Sequence, residues 1–331
     1  MSIYRVVHTG AQPGAPLPEE RESLDRPDIE FVLRGRCSTP QAVLEAVRDA
    51  DAALCYSEPY TREVFAGAPR LKVVVRYGIG VDTIDLDAAT DYGVIVANLP
   101  DFCIEEVANH ALALLLACAK KVLRIDRLIR TAGWAAARDT LSPMGAIHDQ
   151  TLGLIAFGNI ARALARKAKA LSMNVTAYDP YVKPEVFAEM GVESVTMDDL
   201  LARSDYVSCH LPLAAQTRGM IDASLFARMK PTAYLINTSR GAVVNEQDLI
   251  EALRSGRIAG AGLDVFEREP IAPDHPFCAM ENVVLTPHSA SYADATFASM
   301  RRRVGKSAVA VLEGGLPEFV ANPAVLGHRR T

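Results

Sequence analysis

The chain has 331 residues, of which 50% are hydrophobic and 23% charged, with a formal net charge of −5. This length accommodates two domains of about 150 residues each, and the composition is that of a folded protein with buried cores. The acidic balance gives no electrostatic reason to expect a nucleic acid or an acidic membrane surface as a partner.

The six cysteines form no CxxC pair, which argues against a zinc site and against a disulfide framework. No secretory apolar region follows the first residues, where residues 3–7 resemble a strand. The longest apolar stretch, residues 111–119, is much shorter than the ~20 residues that span a bilayer. We therefore expect a cytoplasmic protein with no metal and no membrane partner.

Short apolar runs rich in β-branched residues alternate with helical stretches along the whole chain. The first set comprises residues 5–7, 52–55, 71–75 and 94–96, and the second comprises residues 152–155, 174–178, 206–209, 233–236 and 283–285. Strands this apolar, separated by helices, are typical of parallel sheets covered on both faces. We predict an α/β fold with two doubly wound parallel sheets.

Two helical segments bear on how these sheets are connected. Residues 104–130 begin with two acids and end with bases, which suits the dipole of one long helix between the units. Its apolar surface fits either a subunit interface or burial within the monomer. His110 on this segment is interpreted as a packing or cleft-lining residue. The last predicted helix, residues 293–313, could fold back onto the first unit and make that unit discontinuous.

The strand at 152–155 enters a glycine-containing turn and then a helix. The dinucleotide fingerprint G-x-G-x-x-G/A here reads Ala156, Gly158 and Ala161. Gly158 takes the position where a missing side chain lets the backbone approach a pyrophosphate at the helix N-terminus. Ala156 departs from the pattern, and we expect its φ to be negative. A plain strand–helix turn is the alternative reading of this loop alone.

The next strand supplies a second sign of a dinucleotide. Asp179 lies 21 residues after Gly158, near the spacing of about 20 at which an acid contacts the adenosine ribose. Since a carboxylate there repels a 2′-phosphate, NAD is favoured over NADP. Lys183 is the nearby base that would weaken this preference.

Three polar residues follow three later strands. Arg240, Glu269 and His288 each lie where a predicted buried strand gives way to a loop. In open α/β sheets, ligands bind outside the carboxyl ends of the strands. A cation, an acid and an imidazole at that edge suit the binding of a carboxylate and the transfer of a proton to an oxo group.

Several segments, in this order, resemble the D-isomer-specific 2-hydroxyacid dehydrogenases over nearly the whole chain. They are residues 74–85, 152–161, 209–213, 237–241, 263–266 and 286–288. Within the family, residues 98–107 and 288–292 are most similar to the branch related to C-terminal binding proteins.

The resemblance implies a Rossmann-type NAD domain, residues 102–293, inserted in a flavodoxin-like substrate domain of residues 1–101 and 294–331. A homodimer is implied as well. Arg240 would hold the substrate carboxylate, His288 would be the acid/base, and Glu269, rather than the nearby Glu267, would pair with His288.

Further positions follow from the same resemblance. The cofactor would be contacted by Ala156, Gly158, Asn159, Ile160, Asp179, Pro212, Thr217, Thr238, Arg240, Asp264 and His288, with Asp264 on the nicotinamide side. The substrate would be contacted by Arg76, Tyr77, Gly78, Ile79 and Arg240, the glycine-rich turn offering backbone N–H groups to its carboxylate.

The expected function is hydride transfer between NAD(H) and a small 2-oxo or D-2-hydroxy acid, of glyoxylate or hydroxypyruvate type or bulkier. The alternative is a scaffold that senses NAD(H), as in the corepressor relatives, which retain the same three residues. For Arg76 two roles remain open. Its side chain could bind a second anionic group of the substrate, or it could pair with an acidic residue of this protein.

Overall fold

The computed structural model describes residues 3–330. It divides into two compact units, one of residues up to Cys103 together with those from Ala293 onward, and one of Ile104–Tyr292. We call them unit 1 and unit 2.

Strands and helices alternate along the described chain. The strands are β1 (Tyr4–His8), β2 (Ile29–Leu33), β3 (Ala52–Cys55), β4 (Val73–Arg76), β5 (Ile95–Ala97), β6 (Thr151–Ile155), β7 (Asn174–Tyr178), β8 (Glu193–Ser194), β9 (Tyr206–Cys209), β10 (Tyr234–Asn237), β11 (Gly260–Leu263) and β12 (Val283–Leu285). The α-helices are α1 (Pro18–Leu24), α2 (Pro40–Val47), α3 (Arg62–Gly67), α4 (Leu86–Asp91), α5 (Ile104–Ala119), α6 (Val122–Arg138), α7 (Asn159–Ala170), α8 (Pro184–Met190), α9 (Met197–Arg203), α10 (Ala223–Phe226), α11 (Glu246–Arg254) and α12 (Asp294–Leu312). Three short 3₁₀ turns, Gly241–Val243, Pro276–Ala279 and Pro323–Gly327, complete the regular structure of the described residues.

Unit 1 contains a parallel sheet in the order β2-β1-β3-β4-β5. This is the flavodoxin-like order, in which the chain changes direction between the first and third strands. The central strands are buried along their length, as in β3, where every residue is buried. Helix α12 packs against β3, β4 and α1, so the last part of the chain covers one face of this sheet.

Unit 2 contains a parallel sheet in the order β12-β11-β10-β9-β6-β7-β8. Counted from β6, its first six strands follow the order 3-2-1-4-5-6 of dinucleotide-binding folds. The direction of winding changes between β6 and β9, and ligands bind at the carboxyl ends of strands beside such a point. The prediction of two doubly wound parallel sheets is confirmed.

The single long helix predicted between the sheets is wrong. Helix α5 ends at Ala119, and α6 begins at Val122. Lys121 has a φ of 51° and a ψ of 29°, so the backbone leaves the right-handed helical region at this point. The charge pattern at both ends could not reveal the break, since lysine is a good helix former and neither glycine nor proline marks this point of the sequence.

Within the described residues, no helix combines the length and the apolar character that crossing a bilayer requires.

Candidate active site

The carboxyl ends of three neighbouring strands in unit 2 carry the three polar residues that the sequence singled out. Arg240 follows β10, Glu269 follows β11, and His288 follows β12. Because β10 pairs with β11 and β11 with β12, all in parallel, their ends lie at one edge of the sheet. We call this the carboxyl edge of unit 2.

His288 and Glu269 form a direct pair at this edge. The imidazole Nδ1 lies 2.7 Å from Glu269 Oε2, and the other carboxylate oxygen accepts a hydrogen bond from the Phe266 N–H at 3.0 Å. The side chain of His288 is 47% exposed. With Nδ1 occupied by the carboxylate, Nε2 is the ring nitrogen that can exchange a proton with a ligand.

The carboxyl group of Glu269 is held in its charged form. Burial by itself raises its pKa, but hydrogen bonds from His288 and from the Phe266 N–H outweigh burial and leave the pKa below its usual value. The charged carboxylate orients the imidazole through the contact with Nδ1. Glu267, the other acid considered for this role, is exposed.

A buried carboxylate, that of Asp264, holds the loop that carries His288. Asp264 is 0% exposed. One of its oxygens accepts from the Ser289 N–H at 2.8 Å and from the Thr286 hydroxyl at 2.6 Å, and the other accepts from the Ala290 N–H at 2.8 Å. Burial raises the pKa of Asp264, yet these donors and His110 lower it to about 2. The carboxylate therefore stays charged and keeps the loop in place.

His110 belongs to the same network, which the sequence did not show. Its Nε2 lies 2.9 Å from the Thr286 hydroxyl and 3.4 Å from Asp264 Oδ1. A carboxylate only accepts, so the single proton of the Thr286 hydroxyl goes to Asp264, and His110 must donate to that hydroxyl. The sequence showed only a single histidine on a helical segment. The structure shows that this helix, α5, packs against β11 and β12, which places His110 next to Asp264.

Arg240 lies three residues after the end of β10, in a loop that is held by two side-chain hydrogen bonds to backbone carbonyls. Asn237 Nδ2 donates to the Arg240 carbonyl at 3.1 Å, and Arg240 Nη1 donates to the Ser239 carbonyl at 2.8 Å. The next residue, Gly241, lies so close to Phe266 that a Cβ atom would stand 1.8 Å from the Phe266 carbonyl carbon. Only glycine allows this approach, which brings the Arg240 loop against the loop that carries Glu269.

The turn after β6 differs from the sequence expectation at one residue. Ala156 has a φ of 70°, so the expectation of a negative φ is wrong. Its N–H donates to the Tyr178 carbonyl at 2.9 Å, and the Phe157 N–H donates to Asp179 at 2.9 Å. These bonds to the end of β7 hold the alanine in the left-handed region, which costs an L-residue roughly 1–2 kcal/mol.

Two observations test whether unit 2 fits a dinucleotide. Gly158 caps the N-terminus of α7, and a Cβ atom added to it would meet no described atom within 4 Å. A pyrophosphate can therefore approach this backbone, where the N–H groups of Asn159 and Ile160 at the start of the helix would face it. The hydroxyl of Thr238 is buried and has no hydrogen-bond partner among residues 3–330. Such a group calls for a ligand atom, and the residues present fit the cofactor.

The remaining predicted cofactor positions lie at neighbouring strand ends. Asp179 follows β7 and accepts from two backbone N–H groups, those of Phe157 and Tyr181, both at 2.9 Å. Its negative charge is thereby fixed beside the turn. Pro212 and Thr217 form the loop after β9, in which the Thr217 hydroxyl donates to the Pro212 carbonyl at 2.6 Å.

The predicted substrate residues Arg76, Tyr77, Gly78 and Ile79 lie in unit 1, where β4 ends. The Gly78 carbonyl accepts from the Leu99 N–H at 3.0 Å, and the Ile79 carbonyl accepts from Asn98 Nδ2 at 2.7 Å. In a trans peptide the N–H points away from the C=O. The N–H groups of residues 79 and 80 therefore point away from residues 98–99, as an anion-binding turn requires.

No group of three or more His, Cys, Asp or Glu side chains in the described part of the chain could hold a metal ion.

Comparisons with known proteins agree with this geometry. The family model described as the D-isomer specific 2-hydroxyacid dehydrogenase, NAD binding domain, matches residues 112–290. A glyoxylate reductase of Korarchaeum cryptofilum is 41% identical over 291 residues, which cover 87% of this chain and 88% of the relative.

Solved structures give the same result. The holo form of the D-mandelate dehydrogenase of Rhodotorula graminis has a TM-score of 0.86 at 28% identity, covering 97% of this chain and 98% of that one. The NADPH-dependent glyoxylate/hydroxypyruvate reductase of Sinorhizobium meliloti, solved with NADP and malonate, also has a TM-score of 0.86 at 28% identity, covering 100% and 99% of the two chains.

The predicted family, activity and cofactor are thus confirmed, while the narrower likeness to the C-terminal binding protein branch stays a prediction. The chain belongs to the D-isomer specific 2-hydroxyacid dehydrogenase family, as an enzyme that transfers a hydride between NAD(H) and 2-oxo or 2-hydroxy acids.

Proposed function

We propose that this enzyme reduces small 2-oxo acids of the glyoxylate and hydroxypyruvate type with NADH. The observation that carries the proposal is the 2.7 Å contact between His288 and Glu269 at the carboxyl edge of unit 2, because reduction of a keto group requires a proton donor at the oxygen. The choice of small substrates is supported by the 41% identity to a glyoxylate reductase.

In this proposal His288, Glu269 and Arg240 each have a distinct role. When bound, NADH supplies the hydride to the keto carbon. His288 donates a proton from Nε2 to the keto oxygen, and Glu269 holds Nδ1 and stabilises the imidazolium that donates. Arg240 binds the substrate carboxylate, for which its planar, permanently charged guanidinium is suited. Asp264 and His110 keep the His288 loop in position.

We also propose the division of labour that the resemblance implies. Residues 102–293 would form the NAD-binding domain, and residues 1–101 with 294–331 the substrate domain, whose turn at residues 76–80 offers N–H groups to the carboxylate. The cytoplasmic location stays a prediction from the sequence.

A panel of 2-oxo acids tests the function directly. With NADH we expect turnover of glyoxylate and hydroxypyruvate and a higher kcat/KM for these than for phenylpyruvate. With NADPH we expect a higher KM than with NADH, because the fixed Asp179 carboxylate repels a 2′-phosphate. Steady-state absorbance at 340 nm measures both, and absence of NADH oxidation with every acid of the panel would reject the proposal.

The variants His288→Ala and Glu269→Gln test the catalytic pair. We expect His288→Ala to lower kcat by roughly 10²–10⁴-fold, the usual contribution of a general acid, and Glu269→Gln to lower it less. The KM for NADH should change less than about twofold. His148→Ala is the control, since His148 is exposed, with 68% of its side chain accessible. Equal losses in kcat and NADH affinity would instead assign His288 to cofactor binding.

Two opposite substitutions in one turn test the cofactor loop. Gly158→Ala should leave the unfolding temperature nearly unchanged, because its backbone, φ −74° and ψ −171°, suits alanine and the methyl group has room. The KM for NADH should rise by roughly tenfold, equivalent to about 1.4 kcal/mol, because the methyl group meets the pyrophosphate.

Ala156→Gly is the matched partner of that substitution. Relief of the left-handed alanine should stabilise the fold by up to about 1 kcal/mol, while the KM for NADH stays near that of the natural protein. Calorimetry and NADH titration measure the two effects. A destabilised Ala156→Gly protein, or a Gly158→Ala protein with unchanged NADH affinity, would contradict this account of the turn.

We propose further that the enzyme is a homodimer that associates through α6. Three large apolar side chains in the continuous part of this helix are exposed: Val122 (52%), Leu123 (55%) and Ile129 (43%). Trp134 (69% exposed) follows Gly133, whose φ of 85° and ψ of 176° interrupt the helix. Exposed apolar side chains clustered on one helix are typical of a protein interface.

Light scattering should give the mass of a dimer for the natural protein and of a monomer for Leu123→Glu combined with Ile129→Glu. The variant Tyr181→Ser, at a tyrosine that is 93% exposed outside α6, should remain a dimer. A natural protein that is monomeric at micromolar concentration would refute the proposal.

A further inference from the structure

A buried hydrogen bond joins helix α1 to the end of β4 in unit 1. The Tyr77 hydroxyl donates to Glu20 Oε1 at 2.9 Å. Glu20 is 0% exposed and Tyr77 is 4% exposed. Glutamate is rarely buried to this extent without a specific partner, so the contact calls for an explanation beyond packing.

The Tyr77 ring belongs to a cluster of three rings at neighbouring strand ends, in which each ring contacts the other two. The ring of His8, the last residue of β1, stacks on it with centroids 5.1 Å apart, and the ring of Tyr56, which follows β3, lies 4.7 Å away. Burial lowers the pKa of His8 to about 4, so this ring is neutral near pH 7. The neighbouring rings therefore fix the orientation of the Tyr77 ring, and Glu20 fixes the position of its hydroxyl group.

The Tyr77 hydroxyl is the side-chain hydrogen-bond donor to the Glu20 carboxyl group, whose other oxygen is buried without a hydrogen-bond partner among residues 3–330. Arg301 on α12 approaches the bonded oxygen, with Nε 4.0 Å from Oε1. Burial raises the pKa of Glu20, and the Tyr77 and Arg301 contacts oppose this without cancelling it. Whether neutral or charged, the group retains an oxygen that accepts from the Tyr77 hydroxyl.

Tyr77 begins the turn whose N–H groups are proposed to bind the substrate carboxylate. Its own N–H donates to the Cys55 carbonyl at 2.9 Å, so the backbone is tied on one side. The carbonyls of Gly78 and Ile79 are tied to residues 98–99 on the other side. In addition to these backbone hydrogen bonds, the hydrogen bond from the Tyr77 hydroxyl to Glu20 holds the start of the turn through a side chain.

We propose that Glu20 is a positioning residue, which acts through the Tyr77 hydroxyl to hold the turn at residues 76–80 in the conformation that binds the carboxylate of the 2-oxo acid. This inference rests on the proposed function and extends it to Glu20 on helix α1, which lies 57 positions from Tyr77 in the sequence. Glu20 touches neither substrate nor cofactor, so its effect falls on the KM for the acid.

The test compares Tyr77→Phe and Glu20→Leu with two controls. Both variants should raise the KM for glyoxylate by roughly tenfold, since small displacements of a binding group weaken binding strongly, and should leave the KM for NADH within about twofold. Glu20→Gln, which retains an acceptor oxygen, should restore most of the substrate affinity. Tyr60→Phe is matched to Tyr77→Phe, because Tyr60 is 0% exposed and its hydroxyl contacts Thr9 at 3.1 Å.

A merely structural role would lower the unfolding temperature in Tyr77→Phe and Tyr60→Phe alike and would not alter the KM for the acid. An unchanged KM in both test variants, or the same increase in Tyr60→Phe, would overturn the proposal.

Hydrogen exchange provides a readout that needs no turnover. The amides of Tyr77 and Leu99, which donate to the Cys55 and Gly78 carbonyls and so fix the turn, should exchange about tenfold faster in Glu20→Leu than in the natural protein, with no such change in Tyr60→Phe. If the natural enzyme reduced no 2-oxo acid, the proposed function would fail. Hydrogen exchange would still test whether Glu20 holds the turn at residues 76–80. Equal exchange in Glu20→Leu and the natural protein would reject the role of Glu20.

Discussion

The buried carboxylate of Asp264 is the interaction on which the geometry of the active site depends. It stands at the end of β11 and accepts from the Thr286 hydroxyl and from the N–H groups of Ser289 and Ala290. A buried charge with several donors is costly to disturb, because removing a donor leaves the charge unsatisfied. The loop after β12 is thereby attached to the neighbouring strand, and His288, in the middle of that loop, is brought to Glu269.

The cofactor loop shows how backbone bonds can override a local preference. Alanine disfavours a positive φ, yet Ala156 has one because its N–H and that of Phe157 are both bonded to the end of β7. The same arrangement fixes the Asp179 carboxylate beside the turn. One set of bonds thus shapes the turn and orders the acid that is proposed to distinguish NAD from NADP.

Both units place their functional groups at the carboxyl ends of parallel strands, where loops from neighbouring strands converge. In unit 2 these loops supply charged side chains. In unit 1 the turn after β4 is the proposed source of backbone N–H groups for the substrate carboxylate, and the buried bond between Tyr77 and Glu20 connects this turn to α1. Under this proposal, a residue with no chemistry of its own affects substrate binding through the loop that it holds.

The sequence by itself determined the alternation of apolar strands and helices, the strand-end positions of Arg240, Glu269 and His288, and the motifs that identify the family. These features depend on residue type and short-range spacing, so they can be read along the chain. Only the tertiary structure decided the break at Lys121, the positive φ of Ala156, the network of Asp264 with His110, and the burial of Glu20. Each of these depends on a bond or a backbone conformation set by a residue on another element, and a single chain carries no local sign of such partners.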